Sequence, residues 1–121
     1  MYERISMPFD LIYHLVQRFK MFRHLHSLYR IDDTSFCIEF EKNHRYCIDL
    51  SRGTSLIYPI VSCPTTKHYQ SPFDKTLSKR CTNGSILEVS IPNNDRIIRW
   101  KISRCVGYKI EVTLIQCELT G

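Results

Sequence analysis

The side chains that could do chemistry are six cysteines, five histidines and a scatter of carboxylates and cations. The cysteines are Cys37, Cys47, Cys63, Cys81, Cys105 and Cys117. No two of them form a Cys-x-x-Cys pair, and none stands at ligand spacing from a pair of histidines, so the pattern points to no zinc set. The first twenty residues alternate charge and hydrophobe and lack the apolar centre of a secretory signal. All six cysteines are therefore expected as free, mostly buried thiols of a cytoplasmic protein. His24 and His26 fall on one side of an expected strand, with no carboxylate or cysteine nearby to complete a ligand set. Asp32-Asp33 reads as a turn signal rather than an acid–base pair. The sequence has no phosphate-binding glycine loop, no Gly-x-Ser-x-Gly elbow and no His-Glu-x-x-His. The expectation is a protein that is not an enzyme and uses no cofactor and no metal.

The cations carry more information. Seventeen Lys and Arg against twelve Asp and Glu give a formal net charge of +5 and a pI near 9.0, which leans toward polyanionic partners such as RNA. Arg99 lies just after the Asp95-Arg96 pair, and Lys75, Lys79 and Arg80 fall on the exposed face of an expected helix. Arginine grips phosphate with a two-pronged fork and lysine supplies a point charge, so Arg99, Lys75, Lys79 and Arg80 are candidate phosphate contacts. Aromatic residues are not interleaved with them, so a stacking platform for single-stranded bases is not indicated. Asp95-Arg96 admits two readings. The aspartate caps a turn and Arg96 begins a strand, or the aspartate orients the guanidinium toward a phosphate. Spacing alone does not decide between them.

The elements that must position these residues are legible from periodicity. The 121 residues suit one domain, 43% hydrophobic and 24% charged, with no apolar run long enough to span a membrane. Leu11, Ile12, Leu15, Val16, Phe19 and Phe22 make one apolar stripe and predict a helix from about Pro8 to Met21. Residues 23–31, 35–41 and 45–50 read as strands, the last two with Phe36, Ile38 and Phe40, then Tyr46, Ile48 and Leu50, facing inward. Residues 55–61 suggest a fourth strand, and 62–71 an exposed loop. Ser71-Pro72 opens a short helix with Phe73 and Leu77 toward the core, closed at Asn83-Gly84 with Gly84 in the left-handed conformation. Strands follow over 85–91, 96–104 and 109–119. A turn at Pro92-Asn93-Asn94-Asp95 leaves Asp95 and Arg96 at a solvent-exposed tip. The last strand sets Ile110, Val112, Leu114 and Gln116 on one face and Glu111, Thr113, Ile115 and Cys117 on the other. The fold class is α+β: helix, antiparallel meander, short helix, second antiparallel meander.

The stretch SPFDKTLSKRCTNGSILEVSIPNNDRIIRWKI, residues 71–102, resembles the middle of the N-terminal domain of the NFACT family. The hairpin LYRIDDTSFCIEFEKNHRYCIDLS and the closing VTLIQCELTG resemble the family's flanks. The resemblance covers nearly the whole chain, and its most specific piece is Asp95-Arg96 in context. It implies a fold similar to the N-terminal fold of the formamidopyrimidine-DNA glycosylases, without the N-terminal Pro-Glu of their chemistry. It also implies a role in ribosome-associated quality control: binding tRNA and the large ribosomal subunit on stalled complexes, in support of template-free tailing of nascent chains. The family's Asp-Arg pair, tied to tRNA, carries over onto Asp95 and Arg96. The chain would be the first part of that N-terminal domain, lacking the later family domains. The family's older description supplies the alternative, an adhesin-like module binding fibronectin or extracellular matrix, which requires export.

Overall fold

The computed structural model describes residues 7–63 and 69–120. Helix α1 spans Phe9–Phe19. Ile12, Val16 and Phe19 recur one turn apart and are all buried, so the helix is held by its apolar stripe rather than by a cap. Four strands follow, β1 (His24–Arg30), β2 (Ser35–Phe40), β3 (Arg45–Asp49) and β4 (Leu56–Ile60), paired antiparallel in sequence order. A bulge in β1 between Leu25 and Ser27 turns both Leu25 and Leu28 into the core. Lys42 and Asn43 take left-handed backbone angles to turn β2 into β3. Residues 64–68 of the expected loop lie outside the described residues.

Helix α2 spans Pro72–Cys81. The Ser71 hydroxyl accepts the Asp74 N–H at 3.2 Å while the Asp74 carboxylate accepts the Ser71 N–H at 3.3 Å, a reciprocal cap. Asp74 is buried and lies 3.0 Å from the Arg30 guanidinium, which also sits over the rings of Phe36 and Tyr69. Phe73, expected in the core, is instead 57% exposed, and its neighbour Asp74 takes the inward position through its cap and Arg30. The expected left-handed Gly84 is also corrected. Asn83 takes that conformation (φ 56°), whereas Gly84 opens the next strand. A Cβ on Gly84 would stand 2.3 Å from the Ile102 methyl, so glycine is required there by close packing.

Strands β5 (Gly84–Ser90), β6 (Ile97–Val106) and β7 (Lys109–Glu118) complete one antiparallel sheet of order β4-β3-β2-β1-β5-β6-β7. The β1–β5 junction pairs only His24 with Ser85 and Leu25 with Gly84, so the sheet folds there into two halves that face each other. Trp100 on β6 and Phe40 and Tyr46 on β2 and β3 meet around Phe19 of α1. At one end the two sheet edges converge: Ser55 N–H donates to the Thr120 carbonyl at 3.0 Å, and Gly53 N–H donates to the Thr120 hydroxyl at 2.9 Å. The α+β class, the two meanders and the two helices stand as the sequence predicts.

Candidate functional site

The Asp95-Arg96 pair sits where β6 begins. Asn93 and Asn94 take left-handed angles in the 3-10 turn Pro92–Asn94. The exposed Asp95 carboxylate accepts the backbone N–H of Arg96 at 2.7 Å. It thus caps the turn, and this bond is made to the backbone rather than to the guanidinium. The Arg96 side chain runs inward and is half-buried. Its Nε donates to the Leu119 carbonyl at 2.7 Å and its Nη2 to the Met7 carbonyl at 2.6 Å. Met7 and Leu119 are both buried. Arg96 therefore ties the segment before α1 to the segment after β7. Asp95 is exposed as expected, but the expected solvent-exposed place of Arg96 is corrected to a half-buried one, because backbone carbonyls of two distant segments converge on it, which local turn chemistry cannot show.

The remaining expected cations do not gather around Arg96. Arg99 lies on the outer face of β6 and donates from Nε and Nη2 to the Gln116 side chain at 3.2 and 3.1 Å. Lys79 and Arg80 line a cleft of about 310 Å³ with Thr76, Arg104, Cys105, Val106 and Glu111. Lys75 is exposed on the same helix. Arg104 is eight residues along β6 from Arg96, roughly 26 Å at the rise of an extended strand. The cleft and the Asp95-Arg96 turn are thus separate places. Arg104 was missed in the sequence, although strand alternation gives the signal: Ile98, Trp100 and Ile102 point inward, and Arg104 continues that parity to where the sheet meets α2. Three cations against one carboxylate can hold a phosphate or a carboxylate group. A second cleft, of about 300 Å³, is lined by Lys20 and Arg23 with Glu88 among others.

The expectation of six free thiols is corrected for one pair. Cys37 on β2 and Cys63, just after β4, form a disulfide with Cα atoms 6.2 Å apart. They are 26 positions apart in the sequence, with no spacing signal; the sheet brings them together. Cys47, Cys81, Cys105 and Cys117 are free, the first two and Cys117 buried. Burial pushes the Cys81 thiol up to about 11 and the Cys117 thiol up to about 12, so both are unreactive packing groups. The Glu39 carboxylate lies within 4.8 Å of both bridged sulfurs. It pairs with Arg45 at 3.4 Å.

With this geometry in hand, solved structures provide the comparison. The N-terminal part of the fibronectin/fibrinogen-binding protein from Streptococcus suis superposes with a TM-score of 0.82 at 15% identity, covering 96% of this chain and 46% of that one. The N-terminal domain of fibronectin-binding protein PavA from Streptococcus pneumoniae gives the same TM-score and identity, covering 96% and 48%. The fibrinogen-binding protein from Staphylococcus aureus gives a TM-score of 0.72 at 16% identity, covering 91% and 41%. The fold is that of fibronectin- and fibrinogen-binding protein N-terminal domains. The chain spans about half the length of these structures. No family model matches the sequence, and no curated protein matches it. Neither described helix is long and apolar enough to cross a membrane.

Proposed function

We propose that this chain is a non-catalytic recognition module that binds an extracellular-matrix glycoprotein of the fibronectin or fibrinogen kind. The observation that carries this reading is the fold shared over 96% of the chain with domains of proteins that bind those ligands. The lack of a complete nucleophile–base set in the sequence supports the non-catalytic part. Fibronectin and fibrinogen immobilised side by side with serum albumin test it. Saturable retention of the purified chain on either glycoprotein, and none on albumin, is the expected result. Equal retention on all three surfaces overturns the reading.

A second reading rests on a separate observation, the cleft that joins Lys79 and Arg80 to Arg104. In this reading the chain engages tRNA and the large ribosomal subunit, as the sequence resemblance implies. Lys75, Lys79, Arg80 and Arg104 then contact phosphates, Arg99 adds charge from the outer face, and Asp95 and Arg96 set the turn. Arg80→Glu then weakens tRNA binding, and binding falls steeply with salt because phosphate contacts release counterions. Salt-independent retention of tRNA would remove this reading.

A further inference from the structure

Strand β7 ends the sheet on one side, and among the described residues no strand pairs with it beyond. Its register with β6 is continuous from Val106↔Lys109 to Ile97↔Glu118. Leu119 continues that register and donates its N–H to the Arg96 carbonyl at 2.7 Å. Backbone groups alternate direction along a strand. The odd-numbered residues of β7 therefore turn theirs toward β6, and Ile110, Val112, Leu114 and Gln116 present theirs at the open edge. Such a row is a template for another strand. The opposite edge strand, β4, carries Pro59, which lacks a backbone donor; β7 has no proline.

The edge also borders a groove. Between α2 and β7 lies a depression of about 300 Å³ lined by Phe73, Leu77 and Arg80 from the helix and Thr113 and Ile115 from the strand. It also reaches Leu114, which belongs to the opposite face, so it opens at the edge itself. Phe73, Leu77 and Ile115 also line a smaller, mostly apolar cavity of about 110 Å³ that reaches Trp100. The 57% exposure of Phe73, the misfit of α2 against the sequence pattern, has a purpose if something packs there.

We propose that the β7 edge and the α2 groove form a docking site for an extended peptide that joins the sheet as an eighth strand. Its backbone bonds to the edge groups of Val112 and Leu114. Its side chains alternate, so every second one enters the groove against Phe73, Leu77 and Ile115 and must be apolar. Arg80 borders the groove and shares the neighbouring cleft with Lys79 and Arg104, so an acidic residue is matched at that end. A second copy of the chain fits poorly. Pairing β7 with itself about Val112, Thr113 or Leu114 sets Lys109 or Glu111 of one copy against Thr113, Ile115 or Cys117 of the other, which places charge on the apolar side. This site stands whichever of the two ligand classes above is bound.

The test is selection of random peptides of about ten residues, a full strand's length, on the purified chain, followed by titration of a labelled synthetic copy of the enriched sequence. The expected sequences alternate apolar and polar residues and carry an acid at one end. Val112→Pro removes an edge donor without touching the β6 ladder, and Arg80→Glu reverses the groove's charge. Each should weaken binding by about tenfold, the scale of a lost hydrogen bond or ion pair in a partly enclosed site. A thermal melt reports whether Val112→Pro still folds. If it does not, the peptide methylated at alternate backbone nitrogens is titrated against the unchanged chain and must lose its binding. Failure to enrich any peptide, enrichment without alternation, or binding indifferent to both the substitution and backbone methylation overturns the proposal. So does a dimer in light scattering that Val112→Pro dissolves, which would give the edge to a second copy.

Discussion

Arg96→Ala should destabilise the fold markedly. The guanidinium makes two charge-assisted hydrogen bonds, at 2.7 Å to the Leu119 carbonyl and 2.6 Å to the Met7 carbonyl. Bonds of this kind contribute about 1.5–3 kcal/mol each, and removing the donor also leaves the carbonyls to find water. Arg96 is only half-buried, so water recovers part of the loss and the lower end of the range applies. The two together give about 3 kcal/mol, a large share of the 5–15 kcal/mol that typically holds a domain. At this chain length that corresponds to a fall of about 10 °C in Tm. Urea unfolding of wild type, Arg96→Ala, Arg96→Lys and Arg99→Ala separates the possibilities. Lysine keeps the charge but loses the fork, so it should fall between wild type and alanine. Among the described residues Arg99 bonds the exposed Gln116 side chain alone, so its removal should cost within about 0.5 kcal/mol. If Arg96→Ala also stays within about 0.5 kcal/mol, the guanidinium is not a tie between the Met7 and Leu119 segments, and the sequence expectation of an arginine at a solvent-exposed tip stands.

Other perturbations have equally definite outcomes. Gly84→Ala drives a methyl into Ile102 and should cost about 1–3 kcal/mol, read by the same unfolding curves; no loss would show that the β5–β6 contact is looser than described. Burial opposes the charge on Glu41, but donated N–H bonds from Arg23 and His24 outweigh it and hold its carboxyl below the ordinary value. Its folded value being depressed, Glu41 adds stability above its unfolded value of about 4.5, and that is lost as pH falls through the folded value. Wild type should therefore exceed Glu41→Gln in urea midpoint at neutral pH, and the gap should close in acid; a gap independent of pH would contradict this. Alkylation after denaturation without reductant should label Cys47, Cys81, Cys105 and Cys117 only, and mass spectrometry finding six labels would remove the Cys37–Cys63 bond.

Most of the fold was legible because it follows from short-range pattern. Alternation along residues 35–50 and the three- and four-residue spacing in α1 fix which faces turn inward, and both are properties of a few neighbouring residues. The helix start at Ser71-Pro72 is local chemistry as well. What escaped depends on distant segments meeting. Phe73 is exposed because Arg30, more than forty residues earlier, draws Asp74 inward instead. Gly84 is needed because Ile102 lies across the β5–β6 ladder, not because a helix ends there. Cys37 and Cys63 pair because the sheet brings the chain after β4 back over β2. The candidate site shows the same division. Lys79 and Arg80 were found from helix pattern; strand parity sets the face of Arg104, but that it lines one cleft with them depends on where α2 lies relative to the end of β6. Asp95 acts as the turn chemistry predicts, and Arg96 is claimed by carbonyls at both ends of the described chain.

The central claim is that the chain recognises a matrix glycoprotein by its folded surface. A single head-to-head titration tests it most directly: the purified, oxidised chain against soluble fibronectin, fibrinogen and tRNA across a salt series. The account predicts saturable binding to fibronectin or fibrinogen that persists at physiological salt, with tRNA held weakly and lost as salt rises. Tight tRNA binding, together with no binding to either glycoprotein, would contradict it.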